Sequence, residues 1–74
     1  RIRISGHTDN TGNRDRNLML SEERADAVKS YLTAKGIDPS RVEIRGAGPD
    51  EPVADNASPA GRAQNRRTEF ELLP

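Results

Sequence analysis

The stretch SEERADAVKSYLTAKGIDP, residues 21–39, decides the fold, because it reads as one helix closed at both ends. Ser21 is a good N-cap, and Glu22 and Glu23 suit the positive end of a helix dipole. Leu20, Ala27, Val28, Tyr31 and Leu32 fall on one stripe at helical spacing. Lys35-Gly36 is a stop signal, Ile37 is placed to fold back, and Pro39 prevents continuation. The predicted helix therefore covers residues 21–35.

The segments on either side alternate with period two. Ile2 and Ile4 oppose Arg1, Arg3 and Ser5; Val42 and Ile44 oppose Arg41, Glu43 and Arg45. Residues 68–72 repeat the pattern, with Thr68, Phe70 and Leu72 against Glu69 and Glu71. Each is a half-buried strand with one dry and one wet face. Strand, helix, strand implies a right-handed βαβ unit with a parallel pair. Arginines on the wet face of the first strand and glutamates on the last predict that these two lie side by side, antiparallel. Residues 46–57 form a loop rich in Gly, Pro and Asp, and Ser58-Pro59 starts a short helix running to about Arg66.

Seventy-four residues make at most one small domain, assigned here to residues 1–74. A chain of this length buries only about 60% of its unfolded surface. Its supply of core is thin: 31% hydrophobic residues, one Phe, one Tyr, no Trp and no Cys. Opening within an alternating strand, without Met, it reads as a piece of a longer protein whose other parts help to stabilise it. Twelve basic and twelve acidic side chains cancel, and a net charge of zero argues against a polyanion binder. No run approaches the ~20 apolar residues of a membrane helix.

The chemistry-bearing residues cluster after the first strand. Asp9 lies just past its C-terminal end, close to the start of the following helix, where ligands bind in such units. Arg24 would fall at the third position of that helix, where the dipole disfavours a cation, so it should seek an acidic partner or an anionic ligand. Together they offer a carboxylate for an ammonium and a guanidinium for a carboxylate, the two halves of an α-amino acid. The plainer alternative is that Asp9 and Arg24 pair with each other and bind nothing. His7 and Asp9 form a His-x-Asp pair, but a catalytic zinc needs a third protein ligand and no other His or Cys exists. A nucleophilic triad would need an activated Ser or Thr, and none of Thr8, Thr11 and Ser21 is marked as one. His7 reads best as an imidazole bonded to loop backbone. The basic run Gly61–Arg67 lacks the aromatic platform of a single-strand nucleic-acid binder, and Arg66 and Arg67 are better matched to Asp55 or to Glu side chains that would fasten the long loop.

These segments, taken in order, resemble the OmpA-like C-terminal domain found in OmpA, the Pal lipoprotein and the stator protein MotB. The matching stretches are Gly6-His7-Thr8-Asp9-Asn10-Thr11-Gly12, Asn17 with Leu20–Ala25, Val28, Tyr31-Leu32, Gly36-Ile37, Arg45–Gly48, Pro52–Asn56 and Gly61–Arg67. The resemblance implies an α+β fold, β-α-β-α-β-β, with helices on one face of a mixed sheet of order 1-4-2-3. This chain would supply the last three strands, the main helix and a short helix, and would lack the first strand and helix. It also implies non-catalytic binding of peptidoglycan through the diaminopimelate of the stem peptide, without cofactor or metal. Asp9 would take the ammonium and Arg24 the carboxylate, with Asn17, Asn10, Thr11 and Arg66 lining the site. Family members accept an aromatic residue at the position of His7. The implied setting is the periplasmic side of an outer membrane, where envelope proteins or self-association could compensate for the missing strand. A module that docks an envelope protein and keeps a non-functional pocket is the alternative.

Overall fold

Alternation places Ile2 and Ile4 on one side of the first strand and Arg3 and Ser5 on the other, and the strands form around that pattern, the second running on through residues 46–48, expected in the loop. The computed structural model describes residues 1–74. It contains, in order, β1 (Ile2–His7), α1 (Arg14–Ala34), a 3-10 turn (Pro39–Arg41), β2 (Val42–Gly48), α2 (Pro59–Asn65) and β3 (Thr68–Leu72). The sheet order is β2-β1-β3. β1 runs parallel to β2, with Ile4 opposite Ile44, and antiparallel to β3, with Ile4 opposite Phe70. Both predicted pairings are therefore present, in an α+β fold with a mixed sheet. On the wet face Arg3 reaches Glu71 at 2.9 Å. Exposed pairs of this kind contribute only ~0–1 kcal/mol, so they set strand order more than stability. The Leu73 N–H donates to the Arg1 carbonyl at 2.8 Å, which closes the two chain ends together.

The main helix starts a full two turns earlier than its sequence reading. Asn13, not Ser21, is the N-cap, its side chain accepting from the Arg16 N–H at 3.0 Å. Residues 14–20 contain no Gly or Pro and include Leu, Met and Arg, which favour helix, so nothing stops it from starting there. Ser21 lies inside the helix and is fully buried. Its hydroxyl donates to the Leu18 carbonyl at 2.8 Å and accepts from the Gly48 N–H at 2.9 Å, tying helix to sheet. The C-terminal end follows expectation: Gly36 adopts φ 101°, and the Ile37 N–H turns back to the Leu32 carbonyl at 3.1 Å. This is a Schellman cap, with the Gly36 N–H on the Thr33 carbonyl as its second bond.

The packed stripe of α1 also differs. Ser21 and Ala25 face the sheet and are buried, with Val28 and Leu32 half-buried beside them, while Ala27 and Tyr31 point outward. Small residues make the contact because glycines in the strands let the backbones approach. A Cβ at Gly6 would lie 2.2 Å from the Ser21 carbonyl oxygen, and one at Gly46 would lie 2.8 Å from Glu22. The resulting core is Ile4, Ala25 and Val42, with Ile2, Val28, Leu32, Ile37 and Ile44 packed around it. α1 covers β1 and β2. The face of β3 predicted to be dry is thus exposed, Phe70 at 61% and Leu72 at 84%.

Candidate ligand site

The site is built at the C-terminal end of β1, where the sheet hands the chain to a turn. The His7 N–H donates to the Arg67 carbonyl and the Thr8 N–H to the Gly48 carbonyl, both at 2.9 Å, so both flanks of this segment are fixed by backbone. Asp9 follows, buried to 8% exposure. Its Oδ1 accepts from the Thr11 N–H at 2.9 Å, and its Oδ2 accepts from Arg66 Nη1 at 2.7 Å. Gly12, at φ 87°, turns the chain into the Asn13 cap, and Asn17 on the first turns of α1 donates to the Thr11 carbonyl at 2.9 Å. Asp9, Thr11, Asn17 and Arg66 thus form one connected network. Asn10 is exposed at its rim.

The Thr11 N–H, and after it the Arg66 guanidinium, hold the Asp9 carboxyl below its ordinary range. Asp9 is therefore a fixed anion at neutral pH, since hydrogen bonds and a cation both favour the charged form. Burial, opposing them, is the smaller effect.

The expected partner for Asp9 is not its neighbour. Arg24 lies in the third turn of α1, because the helix begins at Arg14, so the dipole argument drawn from the first turn does not apply to it. Its side chain is exposed and makes neither an ion pair nor a hydrogen bond. The plain alternative of a closed Asp9–Arg24 pair is absent; the pair that forms is Asp9–Arg66.

Asn65 is what brings Arg66 there, and the sequence reading missed its role. Fully buried, it accepts from the Val53 and Ala54 N–H groups at 2.8 and 3.0 Å and donates to the Ala54 carbonyl and Asn56 Oδ1 at 3.0 and 2.8 Å. Those four bonds fasten α2 to the long loop and so place the residue after it beside Asp9. No local pattern signals this, since the partners are far apart in sequence. Arg67 fastens the same loop, donating to Glu69 at 2.6 Å and to the Glu51 carbonyl at 3.0 Å. Asp55 pairs with neither arginine and instead accepts from the Ala57 N–H at 2.8 Å.

His7 departs from expectation too. It is buried to 1% exposure, and neither ring nitrogen has a hydrogen-bond partner, so it is not bonded to loop backbone. Burial, and next the Arg67 charge, push its pKa down against the pull of Glu69, whose Oε1 lies 3.6 Å from Nε2. No group of three or more His, Cys, Asp or Glu side chains could hold a metal ion. A surface hollow of about 400 Å³ runs along α1, lined by Met19, Glu22, Glu23, Asp26 and Ile44. It contains no residue of the Asp9 network, which is defined by its hydrogen bonds rather than by a cavity.

Comparison with known proteins follows the same outline. Residues 1–66 match the OmpA family, and the chain belongs to it. The probable lipoprotein YiaD of Escherichia coli (strain K12) is 47% identical over 99% of this chain, which spans 33% of that protein. The peptidoglycan-binding protein ArfA of Mycobacterium tuberculosis is 46% identical over 95% of the chain, which spans 22% of it. The crystal structure of the peptidoglycan-associated lipoprotein from Burkholderia pseudomallei superposes with a TM-score of 0.89 at 38% identity, covering 93% of this chain and 58% of that one. The chain thus spans well under two thirds of each relative.

Proposed function

We propose that the chain is a non-catalytic module that binds peptidoglycan through the diaminopimelate of the stem peptide and anchors an envelope protein to the cell wall. The observation that carries this reading is Asp9: a fixed, nearly buried anion at the end of β1, held in position by the Thr11 N–H. Such a carboxylate is suited to an ammonium group. Arg24, without any acidic partner of its own, is the guanidinium free to take a carboxylate. Asn17, Thr11 and Arg66 line the space around Asp9, and Asn10 stands at its rim. Membership of the OmpA family supports the reading, as does similarity to the peptidoglycan-binding protein ArfA and to the peptidoglycan-associated lipoprotein of Burkholderia pseudomallei. The work of the site is recognition by charge; no bond is made or broken.

Retention on purified diaminopimelate-type sacculi tests it. Asp9→Ala and Arg24→Ala should each lower retention by about tenfold or more, since a hydrogen bond to a charged group contributes ~1.5–3 kcal/mol, while circular dichroism stays that of the parent chain. Unchanged retention in both variants would refute the reading.

A second reading has its own observation. Phe70 and Leu72 stand exposed on β3 at 61% and 84%, and exposed apolar residues of this kind suit a protein partner. In that case the module docks an envelope protein and the pocket is idle. Free diaminopimelate separates the two, because only a live pocket shifts the amide resonances of Gly12, Asn17 and Arg24.

A further inference from the structure

We infer that Arg66 is a displaceable latch on Asp9, and that it makes the site reject ligands that bring an ammonium without a carboxylate. The inference rests on the reading above, in which Asp9 receives an ammonium.

In the free protein both oxygens of Asp9 are already engaged, Oδ1 by the Thr11 N–H and Oδ2 by Arg66 Nη1 at 2.7 Å. A carboxylate has room for about four hydrogen bonds, but an ammonium arriving at Oδ2 meets a charge already neutralised by the Arg66 guanidinium and must compete with that cation. The Thr11 N–H is backbone within the turn that leads to Asn13. Arg66 is different: its side chain is 48% exposed against 12% for Asp9, and this single-pronged contact is its only side-chain hydrogen bond. Its backbone is held, with the Arg66 N–H on the Arg62 carbonyl at 3.1 Å and Asn65 locked into the loop. Arg66 can therefore leave Asp9 only by swinging its side chain.

The exchange decides specificity. A ligand with an ammonium alone replaces one charge-assisted hydrogen bond on Oδ2 with another of similar strength and strands a guanidinium, so its net gain is small. A ligand that also carries a carboxylate gives the displaced Arg66 guanidinium, as well as Arg24, a new anion, and the second pair adds to the first. Arg66 thereby favours zwitterionic chain ends over simple amines of the same length. Arg24 strengthens binding of the carboxylate; Arg66 penalises its absence.

The test compares meso-diaminopimelate with pentane-1,5-diamine, following the Thr11 amide resonance in the parent chain, Arg66→Gln and Arg66→Lys. Arg66→Gln should bind the diamine about tenfold more tightly than the parent, so the preference for diaminopimelate over the diamine narrows by at least a similar factor. Arg66→Lys, which keeps a cation at the end of α2, should retain the preference. Equal diamine binding in parent and Arg66→Gln overturns the latch. So does a loss of diaminopimelate binding in Arg66→Gln without any gain for the diamine, which would make Arg66 an ordinary ligand contact. A parent that ignores diaminopimelate, with an Arg66→Gln variant that takes the diamine at Asp9, would keep the latch and remove the peptidoglycan reading.

Discussion

His7 sits in the most conspicuous position of the sequence and has the least hospitable surroundings in the fold. Arg67 just before β3, Glu69 on it, Glu51 in the loop and Arg45 on β2 all act on its imidazole, and none hydrogen-bonds to it. Because burial and Arg67 lower its pKa in the folded state, the unfolded chain takes up the proton more readily. The stability it contributes is complete above about 6.5, the ordinary histidine value, and declines as the pH falls below that. Thermal unfolding between pH 7 and pH 5 should show this decline in the parent and a flatter profile in His7→Phe, whatever the variant's stability at pH 7. Equal slopes would show that His7 takes up its proton as readily in the folded state as in the unfolded one, and would overturn this account. At this scale Asp9 was legible in the sequence, because a carboxylate following a strand end is informative by itself. Its pairing with Arg66 was not, because only the loop fastened by Asn65 brings the two residues together.

Among the elements, α1 and β1 are joined by the absence of side chains as much as by their presence. Gly6 admits the Ser21 carbonyl so closely that a methyl group has no room, with 2.2 Å to that oxygen and 2.9 Å to its carbon. Both are backbone atoms and cannot rotate away. Gly6→Ala should therefore destabilise the chain by about 1–3 kcal/mol, the usual range for overpacking, measured by urea unfolding. A loss below that range would mean that the helix can lift from the sheet at little expense. The strands were legible because alternation survives any error in counting. The start of α1 was hidden by its composition: Arg14, Asp15 and Arg16 are all exposed, so the first turn carries no apolar period to announce it. The stripe was misplaced for the related reason that the helix touches the sheet through Ser21 and Ala25, which no count of large apolar residues detects.

For the molecule as a whole the central quantity is the size of the core. Ile4, Ala25, Val42 and Ala47 are the only buried hydrophobic residues, with half-buried neighbours around the first three, and there is no disulfide to add to them. A core of this size rarely supplies more than ~3–5 kcal/mol, so urea unfolding of the 74-residue chain should give a free energy below about 5 kcal/mol; a larger value would contradict this account of what holds the fold. The thin core was legible from composition, and the sheet order from the charges on its wet face. The bare face of β3 was not, since Phe70 and Leu72 alternate as a buried strand does and only the placement of α1 leaves them uncovered. The closed chain ends carry one more consequence. Arg1 and Leu73 meet at the end of the sheet farthest from Asp9, with β1 running straight between. A pull applied between Arg1 and a ligand held at Asp9 would run along the axis of β1. The covalent backbone of β1, already extended, would then carry the load, and its ladders to β2 and β3 would be spared.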